Sequence, residues 1–262
     1  MGLKLYFVLG LIQLSSVLAT VMGLKLYFVL GLIQLSSVLA TAEYMIKKCT
    51  LQDSDCLIEK SNAILKKFTN GIPDLGIEKL DTMSIDSIDF KVDGTIQEIN
   101  NIKVEGLSNA TINDITFFEG LKLLRLSFDT TIVISYDYVL EGILFMQPIV
   151  GEGPGNIKIK NLQSDMIFFY DIVKKGNGKH MLKLIDYRFG VHVKDRTEYH
   201  YANLYNGDER KTELVNRFLN KNWTIITKVF GTEFYDIIYN KIFKALKKYF
   251  RSKDLEDVIL LE

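Results

Sequence analysis

The sequence predicts an α+β fold in which a long C-terminal helix is wrapped by a highly curved antiparallel β-sheet. Three observations predict it. Residues 208–250 contain no proline and a single glycine, Gly231, and their apolar side chains recur at three- and four-residue steps, the spacing of a helix. Residues 90–205 read as strand after strand with short turns and no interposed helix, the pattern of an antiparallel meander. No Pro-, Ser- or Gly-rich linker divides the chain after residue 42, so residues 43–262 read as one domain. A helix that is apolar over a broad face needs cover, and a strongly curved sheet is the simplest cover for it.

The chain opens on a repeat. Residues 1–20 recur unchanged as residues 22–41, separated by Val21. Each copy has a lysine near its start, an apolar run and then small residues, the layout of a secretory signal peptide. The second copy ends Ala40-Thr41-Ala42, which fits the small-x-small cleavage rule better than Ala19-Thr20-Val21. Residues 22–42 are therefore read as the true signal, 1–21 as an artefact copy, and Glu43 as the mature N-terminus. The apolar runs fall short of the roughly 20 residues a membrane span needs. Export makes Cys49 and Cys56, the only two cysteines, one short-loop disulfide. It also makes Asn109-Ala110-Thr111 and Asn222-Trp223-Thr224 glycosylation sequons.

An amphipathic helix is expected over 55–68, ended by Asn70-Gly71 and Pro73, with Leu57, Ile64 and Phe68 on one face. An extended segment follows to Phe90. The stretch 130–145 alternates as a strand, with Ile132, Ile134, Tyr136, Tyr138 and Leu140 on one side. Residues 157–162 alternate as a strand. Residues 165–173 do so too, with Met166, Phe168, Tyr170 and Ile172 together. Residues 174–179 (KKGNGK) are a hairpin turn, and the return strand covers 180–193. Gly142, Gly151, Gly153 and Gly155 mark bends or bulges.

In the C-terminal helix one apolar row runs through Leu219, Trp223, Ile226, Phe230, Phe234 and Ile237. A second row, Leu214, Phe218, Ile225, Val229, Ile238 and Leu246, widens the face and calls for cover on most sides. A continuous helix over this stretch would reach roughly 60 Å, so a bend near Gly231 or an elongated molecule is expected.

Composition narrows the function. The chain is 48% hydrophobic and 24% charged with zero formal net charge, so no general field draws it to nucleic acid or to an anionic membrane. No nucleophile elbow, metal motif or phosphate loop is present, which argues against an enzyme, a metal and any cofactor. His180, His192 and His200 show no ligand spacing and read as solvated, with His192 and His200 as candidate cross-strand neighbours. The basic stretch 244–253 reads as an exposed helix end favoured by the dipole, ahead of a membrane-touching segment.

The residues also carry a resemblance. The N-terminal pattern KKC-x6-C, a helix and then GIPDLGIEKLDTMSIDSI is similar to the insect takeout and juvenile-hormone-binding-protein family. So are residues 138–162 (YVLEGILFMQPIVGEGPGNIKIKNL) and 216–231 (NRFLNKNWTIITKVFG). The chain has Asp81-Thr82 where that family reads Asp-Pro. It has no cysteine after Cys56, where the hormone-binding branch has a second disulfide, so it resembles the takeout-like branch. The resemblance implies a long helix wrapped by a curved sheet around an elongated hydrophobic tunnel. It implies a secreted, non-catalytic carrier of a small lipophile: a juvenile-hormone-like terpenoid, a fatty acid or another long-chain molecule. A monomer is expected. The alternative is a membrane- or microbial-lipid-recognising immune protein of the bactericidal/permeability-increasing type.

For such a carrier, function lies in the shape of an apolar wall and in a few polar groups that orient the ligand's head. The candidate wall is Phe68 from the first helix, Ile132, Ile134, Tyr136 and Tyr138 from one strand, and Phe168 and Tyr170 from another. Trp223, Phe230 and Phe234 complete it from the last helix. Each is equally a plain core position. Tyr138, a phenol on an apolar face, is the candidate polar handle.

Overall fold

The computed structural model describes residues 48–92, 95–144 and 146–260, so both copies of the leader lie outside the described residues. From Cys49 onward the chain is one compact unit. The elements are helix α1 (Ser54–Thr69), strands β1 (Thr82–Val92), β2 (Thr95–Glu105), β3 (Thr111–Phe118), β4 (Leu123–Leu144), β5 (Gln147–Lys174), β6 (His180–Val193) and β7 (Thr197–Tyr201). Helices α2 (Glu209–Lys221), α3 (Trp223–Ser252) and α4 (Leu255–Val258) follow. Asp53 caps α1 by accepting a hydrogen bond from Cys56 N, and Lys66 and Lys67 occupy its last turn, where cations suit the dipole.

The seven strands pair antiparallel throughout, in the order β1-β2-β4-β5-β6, with β3 added to β4 and β7 to β5. β4 and β5, of 22 and 28 residues, are the spine of the sheet. Each serves two partners in turn: β4 pairs with β3 and then β2, and β5 with β7 and then β6. The two strands expected at 157–162 and 165–173 are thus one strand. It bends where the β4–β5 register slips between Thr130 and Ile132, opposite Asn161, whose φ is +52°. The opposite slip on β2 lies at Asn101, also at positive φ. These bulges curve the sheet. The turn at 174–179 closes as expected, with Lys175 N donating to Lys179 O and Gly178 at φ +85°.

The C-terminal helix differs from the expectation in where it breaks. The interruption is at Asn222 (φ −107°, ψ 22°), and Gly231 lies inside a continuous α3. Asn222 folds back on α2, its side-chain amide donating to Phe218 O at 2.9 Å, and so ends that helix. At Gly231 a Cβ would lie 2.9 Å from Tyr235 Cε2, so the glycine clears space for a ring and does not interrupt the helix. The 30 residues of α3 reach about 45 Å at 1.5 Å per residue.

The expected cover is one-sided. Ile226, Phe234, Ile238, Tyr239, Ile242 and Ala245 of α3 are buried against the sheet, whereas Leu214, Phe218, Ile225 and Val229 are 42–55% exposed. The sheet is open, with β1 and β6 as its outer strands, so the helix face turned away from it keeps solvent contact. Ile172 is also exposed, beyond the register slip at Phe169/Tyr170.

Two clamps hold the ends. Cys49 and Cys56 form the disulfide, and Leu260 N donates to Cys49 O, tying the C-terminus to it. The β5–β6 turn grips α4: Lys175 and Lys179 pair with Asp254, and His180 pairs with Glu256 at 2.6 Å. The His180 ring therefore meets a carboxylate where a solvated ring was expected. His192 lies opposite Gln163 and His200 opposite Asn156, so those two are not cross-strand neighbours.

Candidate functional site

The interior face of β4 is formed by strict alternation: Ile132, Ile134, Tyr136, Tyr138 and Leu140 are buried to 5% exposure or less, whereas Val139 points out at 45%. Across from them lies the buried face of α3. Where α2 and α3 meet the sheet, a cavity opens among Gln97 and Ile99 of β2, Leu140 of β4, Ile149 and Ile157 of β5 and Tyr199 and Tyr201 of β7. Val215 and Leu219 of α2 and Ile226, Phe230 and Phe234 of α3 close it. It leaves about 30 Å³ for the centre of a water-sized sphere. A single water needs ~10–15 Å³ by that measure, so the cavity as it stands admits about two waters.

Helix α2 is the wall that this end depends on. Asn216 and Asn220, one turn apart, each make a pair of hydrogen bonds to the backbone of β7. Asn220 accepts from Tyr199 N and donates to Tyr199 O; Asn216 does the same at Tyr201, all at 2.7–2.9 Å. The two amides satisfy the free edge of β7 as another strand would. Val215 and Leu219 are thereby turned to the cavity.

The polar groups inside are neutral. Among the described residues the buried polar side chains are Gln97 and a set of Ser and Thr, joined by phenols. Tyr138 Oη donates to Ala202 O at 2.6 Å, so the candidate polar handle is already engaged within the protein. Tyr201 Oη accepts from Gln97 Nε2 (3.0 Å). Tyr199 Oη and Thr227 Oγ1 are 2.8 Å apart, and Tyr239 Oη is 2.5 Å from Ser164 Oγ. Tyr235 Oη is buried with no hydrogen-bond partner, and Tyr136 Oη is buried beside the phenol of Tyr201. Burial pushes the Tyr136 phenol well above its ordinary value and the Tyr235 phenol up to about 12, so both keep their protons at physiological pH.

Of the ten candidate wall residues, the cavity brings together Phe230 and Phe234. Tyr136 adjoins it, with ring centroids 6.0 Å from Tyr201 and 6.4 Å from Phe234. Ile132, Ile134, Phe168 and Tyr170 pack in the core further along the sheet, where Phe168 stacks on Phe243 and Tyr170 meets Phe117 edge-on. Phe68 lies against Tyr249 at the far end of α3, and Trp223 is half-buried on the core. Sequence reasoning missed Gln97, Tyr199, Tyr201, Val215 and Leu219. The alternation of Tyr199 and Tyr201 around His200 was the available signal, in a strand of five residues.

No group of three or more His, Cys, Asp or Glu side chains among the described residues is placed to hold a metal ion. None of the described helices is long and apolar enough to cross a membrane.

A long helix laid in an open, curved antiparallel sheet with an apolar interior is the takeout fold. The chain belongs to the haemolymph juvenile hormone binding protein (JHBP) family, whose model matches residues 27–260. It is 25% identical over 196 residues to the circadian clock-controlled protein daywake of Drosophila melanogaster, covering 69% of this chain and 74% of that one. It is 27% identical over 100 residues to the juvenile hormone-binding protein of Manduca sexta, covering 37% and 44% of the two chains. The crystal structure of Epiphyas postvittana Takeout 1 superposes with a TM-score of 0.78 at 26% identity, covering 82% of this chain and 100% of that one. Lipopolysaccharide binding protein matches with a TM-score of 0.42 at 12% identity, too remote to bear on function.

Proposed function

We propose that this protein is a secreted, monomeric, non-catalytic carrier that holds a small hydrophobic ligand between α3 and the concave face of the sheet. The observation that carries this reading is the cavity at the α2–α3 end. Six strands and helices contribute walls to it, and neutral hydroxyl and amide groups lie at its edge. The family supports the same reading.

At about 30 Å³ of accessible room the cavity does not hold a lipid as it stands. Uptake therefore displaces the rings of Phe230 and Phe234, and the space lengthens along α3 toward Tyr136 and Phe168. Trp223 and Phe68 lie toward the two ends of that path. The leader at 22–42, cleavage before Glu43 and a glycan on Asn109 belong to the same reading. Asn109 is exposed in the turn before β3, whereas the Asn222 amide is engaged at the α2 break.

Native mass spectrometry of the protein secreted from insect cells, followed by organic extraction, tests the proposal. A co-purifying lipophile, or competition by a long-chain terpenoid or lipid against a fluorescent hydrophobe, is expected. A clean ligand-free mass together with no uptake of any lipophilic probe overturns it.

A further inference from the structure

We propose that the outer face of α2 and of the first two turns of α3 is a docking surface for an anionic lipid bilayer. This goes beyond the carrier reading and does not depend on it.

Two rows run along this face. Leu214, Phe218, Ile225 and Val229 form an apolar row at steps of four, seven and four residues, and each is exposed. Arg210, Arg217, Lys221 and Lys228, also exposed, form a basic row at steps of seven, four and seven. On a helix that spacing sets the second row directly beside the first. The rows carry on across the α2–α3 break, because Asn222 N donates to Phe218 O and Ile226 N to Asn222 O, the i→i−4 pattern of a helix. The other side of α2 is held to β7 by Asn216 and Asn220 and faces the cavity through Val215 and Leu219, so both rows point away from the protein.

The charges make the face positive although the whole chain is neutral. Glu213 offsets Arg217, and Asp208 offsets Lys211. Arg210, Lys221 and Lys228 have no ion-pair partner among the described residues, and no acidic residue occurs between Leu214 and Thr232. Exposed aliphatic side chains edged by long cations match a bilayer surface: the apolar row enters the boundary between headgroups and acyl chains, and the cations stay at the level of the lipid anions. A fluid surface of this kind needs no complementary shape. Docked in this way, the helix that closes the cavity lies at the lipid surface. Asn222 sits between the two halves of the rows and heads a sequon, and a glycan on it would hold the face off a bilayer.

Flotation of the protein secreted from insect cells with vesicles of phosphatidylcholine and about 30% phosphatidylserine tests this. Binding is expected at low ionic strength, with release by about 0.5 M NaCl and roughly tenfold weaker binding to phosphatidylcholine alone. Arg210→Gln/Lys221→Gln/Lys228→Gln is expected to bind about a hundredfold more weakly, since each cation near such a surface contributes about fivefold. Leu214→Ser/Ile225→Ser, two exposed positions, is expected to lose about tenfold or more. Lys244→Gln/Lys247→Gln/Arg251→Gln, at the far end of α3, is expected to bind as the unaltered protein does. Trp223, the only tryptophan, starts α3 at the junction of the rows, so acyl-brominated lipids are expected to quench its fluorescence without any substitution. The inference is overturned by absence of binding to the anionic vesicles, by binding that the first two variants keep, or by its loss in the third. Unquenched Trp223 in vesicle-bound protein, or a glycan on Asn222 of the secreted chain, overturns it as well. Vesicle binding needs no cargo, so these results leave the carrier reading to its own test.

Discussion

At Gly155 the absence of a side chain is used by a neighbour. The residue sits opposite Tyr136 in the β4–β5 register, and an added Cβ would meet the Tyr136 ring at 2.3 to 2.9 Å over three of its atoms. The constraint is steric contact with a neighbouring side chain, unlike Gly106, whose φ of +118° already favours glycine. Gly155→Ala is therefore expected to cost about 1–3 kcal/mol, the range for overpacking a filled core. Tyr136→Ala in the same chain is expected to relieve part of that cost, so the two changes will be less than additive. Urea unfolding of the two single variants and the double variant measures this, and strict additivity would show that the ring does not lie on Gly155.

The element that closes the cavity is α2, and its hold on the sheet is largely polar. One of its side chains, Leu219, is fully buried, whereas Asn216 and Asn220 carry four hydrogen bonds to β7. Removing either amide strands a backbone N–H and C=O, at about 1–3 kcal/mol for each group left unsatisfied where water cannot reach. Asn216→Ala/Asn220→Ala is expected to loosen α2 before the rest of the chain unfolds. Hydrogen exchange at the amides of Tyr199 and Tyr201 checks it: faster exchange there with an unchanged β4–β5 core is the expected result. Unchanged protection at both amides would mean that packing by Val215 and Leu219 holds the helix without them.

At the scale of the molecule, the first and last described segments meet. The C-terminal segment pairs with Cys49 beside the disulfide and is gripped by the β5–β6 turn through Asp254 and Glu256. Hydrogen bonds from Lys175 and then Lys179 hold the Asp254 carboxyl below its ordinary range. A depressed carboxylate stabilises the folded state above its unfolded value near 4, and that contribution is lost as pH falls through the folded value. Acid is thus expected to free residues 254–260 ahead of the sheet. NMR of the Ile259 and Leu260 amides, followed from neutral to about pH 3, reads it directly. High salt is expected to act in the same direction, because these charges are partly exposed. Amides that persist until global unfolding would place the hold in Leu255 and Ile259, both buried, instead of in the ion pairs.

Much of this molecule follows from local pattern. Alternation along β4, the KKGNGK turn, the cap and end of α1 and the helical spacing of 208–250 each depend on neighbours a few residues apart, and all can be read in the chain. The family can also be read there, because its motifs are local. What only the tertiary structure decided depends on residues far apart. The helix breaks at Asn222, whose side chain bonds back to Phe218, and it continues through Gly231, where the missing side chain leaves room for Tyr235. The cavity draws on β2, β4, β5, β7, α2 and α3, and no single segment signals it. Tyr138 and Tyr136 look alike in the sequence, two residues apart on one face. A carbonyl 64 residues away, that of Ala202, engages the first, whereas the second lies beside the ring of Tyr201.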